Sequence, residues 1–168
     1  GIHTSTGAGL GNYVWMDIIP DGVQGANEPG VGGVTVTLYN AGGVAIQSAI
    51  TDQNGYYSFP DLDPGTYSVG FSTLPSNVYF TTSNAGTSDA FDSDIDPATI
   101  TVDGSGYATG GSIPQVTLAA GEYNPTLDAG LKLVPPAGTA QLGNYVWNDL
   151  NKDGIQDANE VGVAGITV

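Results

Sequence analysis

Residues 149–160 read DLNKDGIQDANE, with a side-chain oxygen at every second position of the opening. The spacing fits D-x-[DN]-x-[DN]-G-x5-E in full, through Asp149, Asn151, Asp153, Gly154 and Glu160. That is the chemistry of a calcium loop. A hard cation takes roughly six to eight oxygens. Asp149, Asn151 and Asp153 would therefore point inward, Gly154 would make the sharp turn and the Ile155 carbonyl would face the ion. Asp157 adds a ligand directly or through water, and Glu160 binds with both oxygens. The competing reading is an acidic surface turn between strands.

A second copy of the loop lies at residues 17–28 and keeps Asp17, Asp21, Gly22 and Glu28, with Val23 at position seven. Ile19 at position three and Gly25 at position nine remove two side-chain oxygens, so this site is expected to be the weaker. A third acidic cluster, DAFDSDID, carries Asp89, Asp92, Asp94 and Asp96. Carboxylates this close repel one another unless a cation or solvent screens them. They sit in a long irregular stretch, about 75–97, that a bound Ca2+ would order; otherwise it is a solvated loop. TDQNG (51–55) reads as a hairpin turn. Asp128 could cap a strand ladder or support a metal loop, and the sequence does not choose between them. Trp15 and Trp147 precede the two loops and read as packing residues ahead of sugar-stacking ones.

Other chemistry finds little support. The single His is His3, in a Gly/Ser/Thr-rich leader, and there is no Cys. Neither a nucleophile–base pair nor a typical catalytic zinc site can be assembled from that set. Two Lys stand against 17 acidic residues, a formal charge of −15. Such a surface repels nucleic acid and anionic membranes. No apolar run reaches the roughly 18 residues of a membrane span.

The elements that must hold these loops follow from an internal repeat. Residues 10–36 and 142–168 align without a gap, and 18 of 27 positions are identical. One full unit is therefore expected over 10–133, after a flexible arm at 1–9. A Pro-rich connector at 134–141 leads to a partial second repeat at 142–168, as in a tandem array. Within the full unit, Val34, Val36 and Leu38 alternate with Thr35, Thr37 and Tyr39. Tyr57 and Phe59, then Tyr67, Val69 and Phe71, then Leu127, Ala129 and Leu131 repeat that period of two. Half-buried antiparallel strands carry this pattern. Turns are expected at NAGG (40–43), DQNG (52–55) and DPG (63–65). The fold class is all-β, an antiparallel sandwich of about seven or eight strands.

The string GNYVWNDLNKDGIQDANEVGVAGITV, with TDQNGYYSFPDLDPGTYSVGF in the complete unit, resembles the SdrD B-like domain. That is the B domain of serine–aspartate repeat surface proteins, a branch of the Cna B-type, transthyretin-like sandwiches. The resemblance implies a tandem, calcium-binding stalk module, secreted and held at a bacterial cell surface. Related sandwiches form Lys–Asn crosslinks, but the early strand GVTVTLYN has no Lys and none is expected here.

The leading expectation is thus a calcium-stiffened structural repeat whose partners are neighbouring copies of itself, with Ca2+ also bracing the joint between repeats. Alternatives are an adhesin module that binds a host or matrix protein or a glycan, and a filament subunit joined head to tail by strand exchange through 142–168. An accessory domain of an enzyme is a weaker third.

Overall fold

The computed structural model describes residues 7–133 and Val163. Contacts divide the chain into two compact units, Gly1–Ala137 and Gly138–Val168. Ten strands and one short 3₁₀ turn make up the described part of the first. One sheet holds β4 (Tyr56–Leu62), β1 (Ala8–Met16), β10 (Ala129–Lys132) and β6 (Tyr79–Phe80) in that order, with β9 (Tyr123–Asn124) also paired to β1. The other runs β3 (Ala45–Ile50), β2 (Thr35–Asn40), β5 (Gly65–Ser72), β8 (Ala108–Leu118) and β7 (Thr101–Val102).

The alternation read from the sequence places the core. Val36 and Leu38 of β2, Val69 and Phe71 of β5 and Ile113 of β8 turn inward from one sheet. Leu10 and Val14 of β1, Tyr57 and Phe59 of β4 and Leu131 of β10 meet them from the other. The Tyr57 hydroxyl donates to the Leu127 carbonyl at 2.6 Å, so this aromatic joins the core without an orphaned polar atom. Trp15 is fully buried outside that cluster, its ring laid against Gly130, which leaves no exposed indole face for a sugar.

Three turns use one device. Asn40, Asp52 and Asp103 each accept, through a side-chain oxygen, N–H groups from residues two and four further on. The fourth residue of each turn is a Gly at positive φ: Gly43, Gly55 and Gly106. Gly55 is needed twice over, because a Cβ there would lie 2.3 Å from the Val14 carbonyl oxygen.

Several expectations change. β1 begins at Ala8, so Ala8 and Gly9, placed above in the flexible arm, are paired residues. The first sheet is mixed, because β1 runs parallel to both β9 and β10. Alternation reveals a strand but carries no information on its direction. The strands without a signal in the sequence are β6 and β9, of two residues each and too short to show a period, and β3, which lies on an exposed edge. Residues 51–55 form a tight turn, but it carries the chain from β3 in one sheet to β4 in the other and so closes no hairpin. β8 accommodates Pro114 where its register with β5 shifts.

Candidate metal centre

Two groups of carboxylates form in the described residues, both in loops that flank β1 and β10. The first is the loop at 17–28. β1 ends at Met16, and the Asp17 N–H donates to the Leu131 carbonyl at 2.7 Å, which fixes the loop entrance to β10. The Asp17 carboxylate is buried. Its Oδ2 accepts the Gly22 N–H at 2.9 Å and the Thr81 hydroxyl, while its Oδ1 has no partner. Asp21 Oδ1 accepts the Val23 N–H at 2.9 Å. Glu28 staples the loop, taking the Ile19 N–H at 3.0 Å on Oε1 and the Gly25 N–H at 2.8 Å on Oε2. Both oxygens assigned from the sequence to a bidentate ligand are thus engaged with loop backbone.

The second group is tighter. Carboxylate oxygens of Asp89, Asp92 and Asp94 lie within 4.8 Å of one another. Oxygens that share one calcium ion at about 2.4 Å can be no further apart than about 4.8 Å. Asp96, grouped with them in the sequence, is used differently: its Oδ1 accepts the Ala98 N–H at 2.9 Å and caps the 3₁₀ turn Pro97–Thr99. Asp128 is instead tied to Asp94 through its backbone. The Asp128 N–H donates to Asp94 Oδ2 at 2.8 Å, and the Asp94 N–H donates to the Asp128 carbonyl at 2.9 Å. Asp128 Oδ1 accepts the Tyr13 N–H at 3.0 Å, and its Oδ2 is buried with no partner, as is Asp92 Oδ1. One signal for Asp128 was present in the sequence, a lone acid between the inward-facing Leu127 and Ala129. The pairing with Asp94, 34 residues away, was not.

The two groups touch through backbone. Val23 and Asp92 form an isolated antiparallel bridge, and the Gln24 N–H donates to the Phe91 carbonyl at 2.6 Å. Asp149, Asn151, Asp153, Ile155, Asp157 and Glu160 lie outside the described residues.

The electrostatics bear on occupancy. Burial, with Asp94 next, pushes the Asp128 carboxyl up to about 8, against the opposing Tyr13 N–H. Burial likewise raises Asp94 to about 7, with Asp89 and Asp92 adding to it and the Asp128 N–H opposing. Asp92 and Asp17 are also raised, in each case chiefly by burial. These carboxylates therefore resist ionisation unless positive charge joins them. Three buried carboxylate oxygens without a donor, and only oxygen ligands around them, suit a hard cation of the calcium or magnesium type. They do not suit a metal that prefers nitrogen or sulfur.

A β-sandwich whose loops gather carboxylates beside one strand pair defines a structural class of module. The chain belongs to the SdrD B-like domain family, whose sequence model matches residues 8–131 and again 140–168. The second match falls on the repeated segment. Serine-aspartate repeat-containing protein C of Staphylococcus aureus strain N315 is 45% identical over 159 residues, covering 95% of this chain and 14% of that protein. The protein of the same name from strain Newman is 44% identical over 159 residues, covering 95% of this chain and 15% of that protein. The chain thus spans about a seventh of the length of these relatives. The family is structural, and the chain is not an enzyme. The minor pilin GBS52 of Streptococcus agalactiae gives a TM-score of 0.47 at 14% identity, over 81% of this chain and 47% of that one. Among the described residues no helix is long and apolar enough to cross a membrane.

Proposed function

We propose that this chain is a calcium-binding structural repeat, a stalk or spacer module of a secreted bacterial surface protein. Its function is mechanical: calcium stiffens the loops that close one side of the sandwich, and neighbouring repeats of the same kind are its partners. One observation supports the reading above the rest. Carboxylate oxygens of Asp89, Asp92 and Asp94 converge, the Asp128 N–H holds Asp94 beside them, and buried oxygens of Asp92 and Asp128 lack any donor. In that site Asp89, Asp92 and Asp94 would hold the ion, and Asp128 would orient Asp94 while adding negative charge. Asp17 would serve the neighbouring loop through its free Oδ1. Calcium supplies the charge that these groups need in order to ionise together. Extracellular modules bind calcium with Kd on the order of 10⁻⁴ to 10⁻³ M, which suits a site kept occupied outside a cell.

Calorimetric calcium titration, combined with melting in calcium and in chelator, tests the reading. Binding heat and a higher melting temperature in calcium are expected. No heat, with identical melting and protease sensitivity in chelator, would remove calcium from the mechanism.

A further inference from the structure

Of the strands paired on one side alone among the described residues (β3, β4, β6, β7 and β9), all but β3 are guarded, β9 by its length of two residues. β4 carries Pro60 and the charged Asp61 on its edge, and β6 and β7 are only two residues long. Short strands, proline and charge are the usual means by which an edge avoids pairing with another chain. β3 has neither proline nor charge and is longer, its one irregularity being the register shift against β2 that leaves Ile46 as an extra residue between Ala45 and Gln47. It spans six residues, AIQSAI, and is exposed along almost its whole length. Ile46 is 44% exposed and Ile50 67%. Residues 41–51 contain no charged side chain in a chain of formal charge −15.

We infer that β3 is a self-association edge, pairing antiparallel with β3 of a second copy of this chain about a two-fold axis at Ser48. The backbone sets that register. The Thr51 N–H donates to the Val34 carbonyl at 2.9 Å, and its carbonyl accepts the Gly33 N–H at 3.0 Å. Groups alternate along an antiparallel ladder, so those of Ile50 and Ser48 turn away from β2 toward the open side. A partner strand must then place outward-facing residues opposite each other. With Ser48 on the axis, Ile46 faces Ile50 of the other copy, and the same pair recurs on the far side of the axis. Cross-strand pairs of β-branched residues are favourable, and an isologous contact repeats each one.

The self-complementary register favours a second copy, since each β3 supplies both members of the Ile46–Ile50 pairs. Two chains this acidic repel at most approaches, and the neutral strip at 41–51 lets them meet without opposing carboxylates. The contact is small, well under the roughly 1,000 Å² of a stable interface, so one unit associates weakly. Tandem repeats would multiply it, because the second and later contacts form at high effective concentration.

The test uses the full chain in calcium. Sedimentation equilibrium up to about 1 mM should show the mean mass rising toward that of a dimer. Ser48→Lys and Ile50→Lys, each with an unchanged melting temperature, should abolish the rise. The chain has no Cys of its own, so a single introduced thiol reports on register. Residues opposite each other on such a ladder have Cα atoms about 5.5 Å apart, within disulfide range. Under a mild added oxidant, Ser48→Cys should give a covalent dimer far faster than Ser105→Cys in the exposed Asp103 turn. A chain that stays monomeric at the highest concentration overturns the inference. So does association that survives both lysine variants, or equal crosslinking at Ser48 and Ser105.

Discussion

Asp94 and Asp128 hold each other through two backbone donors: the Asp128 N–H reaches Asp94 Oδ2 at 2.8 Å, and the Asp94 N–H reaches the Asp128 carbonyl at 2.9 Å. The acidic loop is thereby fixed to the start of β10, and through Asp128 Oδ1 to the Tyr13 N–H of β1. A metal bound by Asp89, Asp92 and Asp94 would act on the centre of the sheet as well as on its own loop.

Asp128→Asn keeps the acceptor for Tyr13 while removing the buried charge beside Asp94. Calcium affinity at this site should fall by about 10–100-fold, the usual cost of losing a group that orients a ligand. The chelated protein should melt no lower than the parent at pH 8, because the variant no longer buries a reluctant carboxylate. Paired titration and melting check both halves. Unchanged affinity would place Asp128 outside the metal's influence.

How far the sequence discloses this arrangement depends on range. Period two is local, so Val36, Leu38, Val69 and Phe71 could be assigned to one buried face directly. Loop spacing is local too, which made Asp89, Asp92 and Asp94 visible as one group. Asp96 was grouped with them on spacing alone, yet the following proline commits its carboxylate to a cap. AIQSAI carries no strand signature because β3 lies on an open edge, where no buried face imposes a pattern. The parallel run of β1 beside β10, and the meeting of Asp94 with Asp128, are set by tertiary closure. No window of the sequence contains both partners.

The raised carboxyl groups predict an unusual pH response. Asp94 at about 7 and Asp128 at about 8 stand above the roughly 4 of an unfolded aspartate. Between those limits the native state holds more protons than the unfolded one, so stability falls as pH rises. In chelator the contribution is fully present below about pH 4 and lost by about pH 8. Asp17 and Asp92 shift in the same direction. Calcium competes with those protons, so the gain in melting temperature on adding it should grow from pH 5 to pH 8. Melting curves with and without calcium across that range decide it. A chelated protein that gains stability over the range would contradict the assignment.

The loop at 17–28 offers a gain-of-function test. Ile19 stands at position three, where the full pattern has an oxygen, and its side chain is 69% exposed. Its backbone is engaged, the N–H donating to Glu28 Oε1 at 3.0 Å and the carbonyl accepting the Asp21 N–H, but its side chain holds nothing. Ile19→Asp should therefore cost the fold little, within about 0.5 kcal/mol in calcium, as for other surface changes. It adds a ligand oxygen and a charge beside Asp17 and Asp21, the two quantities that tune calcium loops. About a tenfold tighter Kd is expected at one site, with the others unmoved. In chelator the same substitution should lower the melting temperature, since the new carboxylate meets like charges without a cation between them. Titration calorimetry resolves the site, and melting in chelator supplies the opposite sign. A variant that binds calcium as the parent does would mean that position three of this loop faces away from the ion.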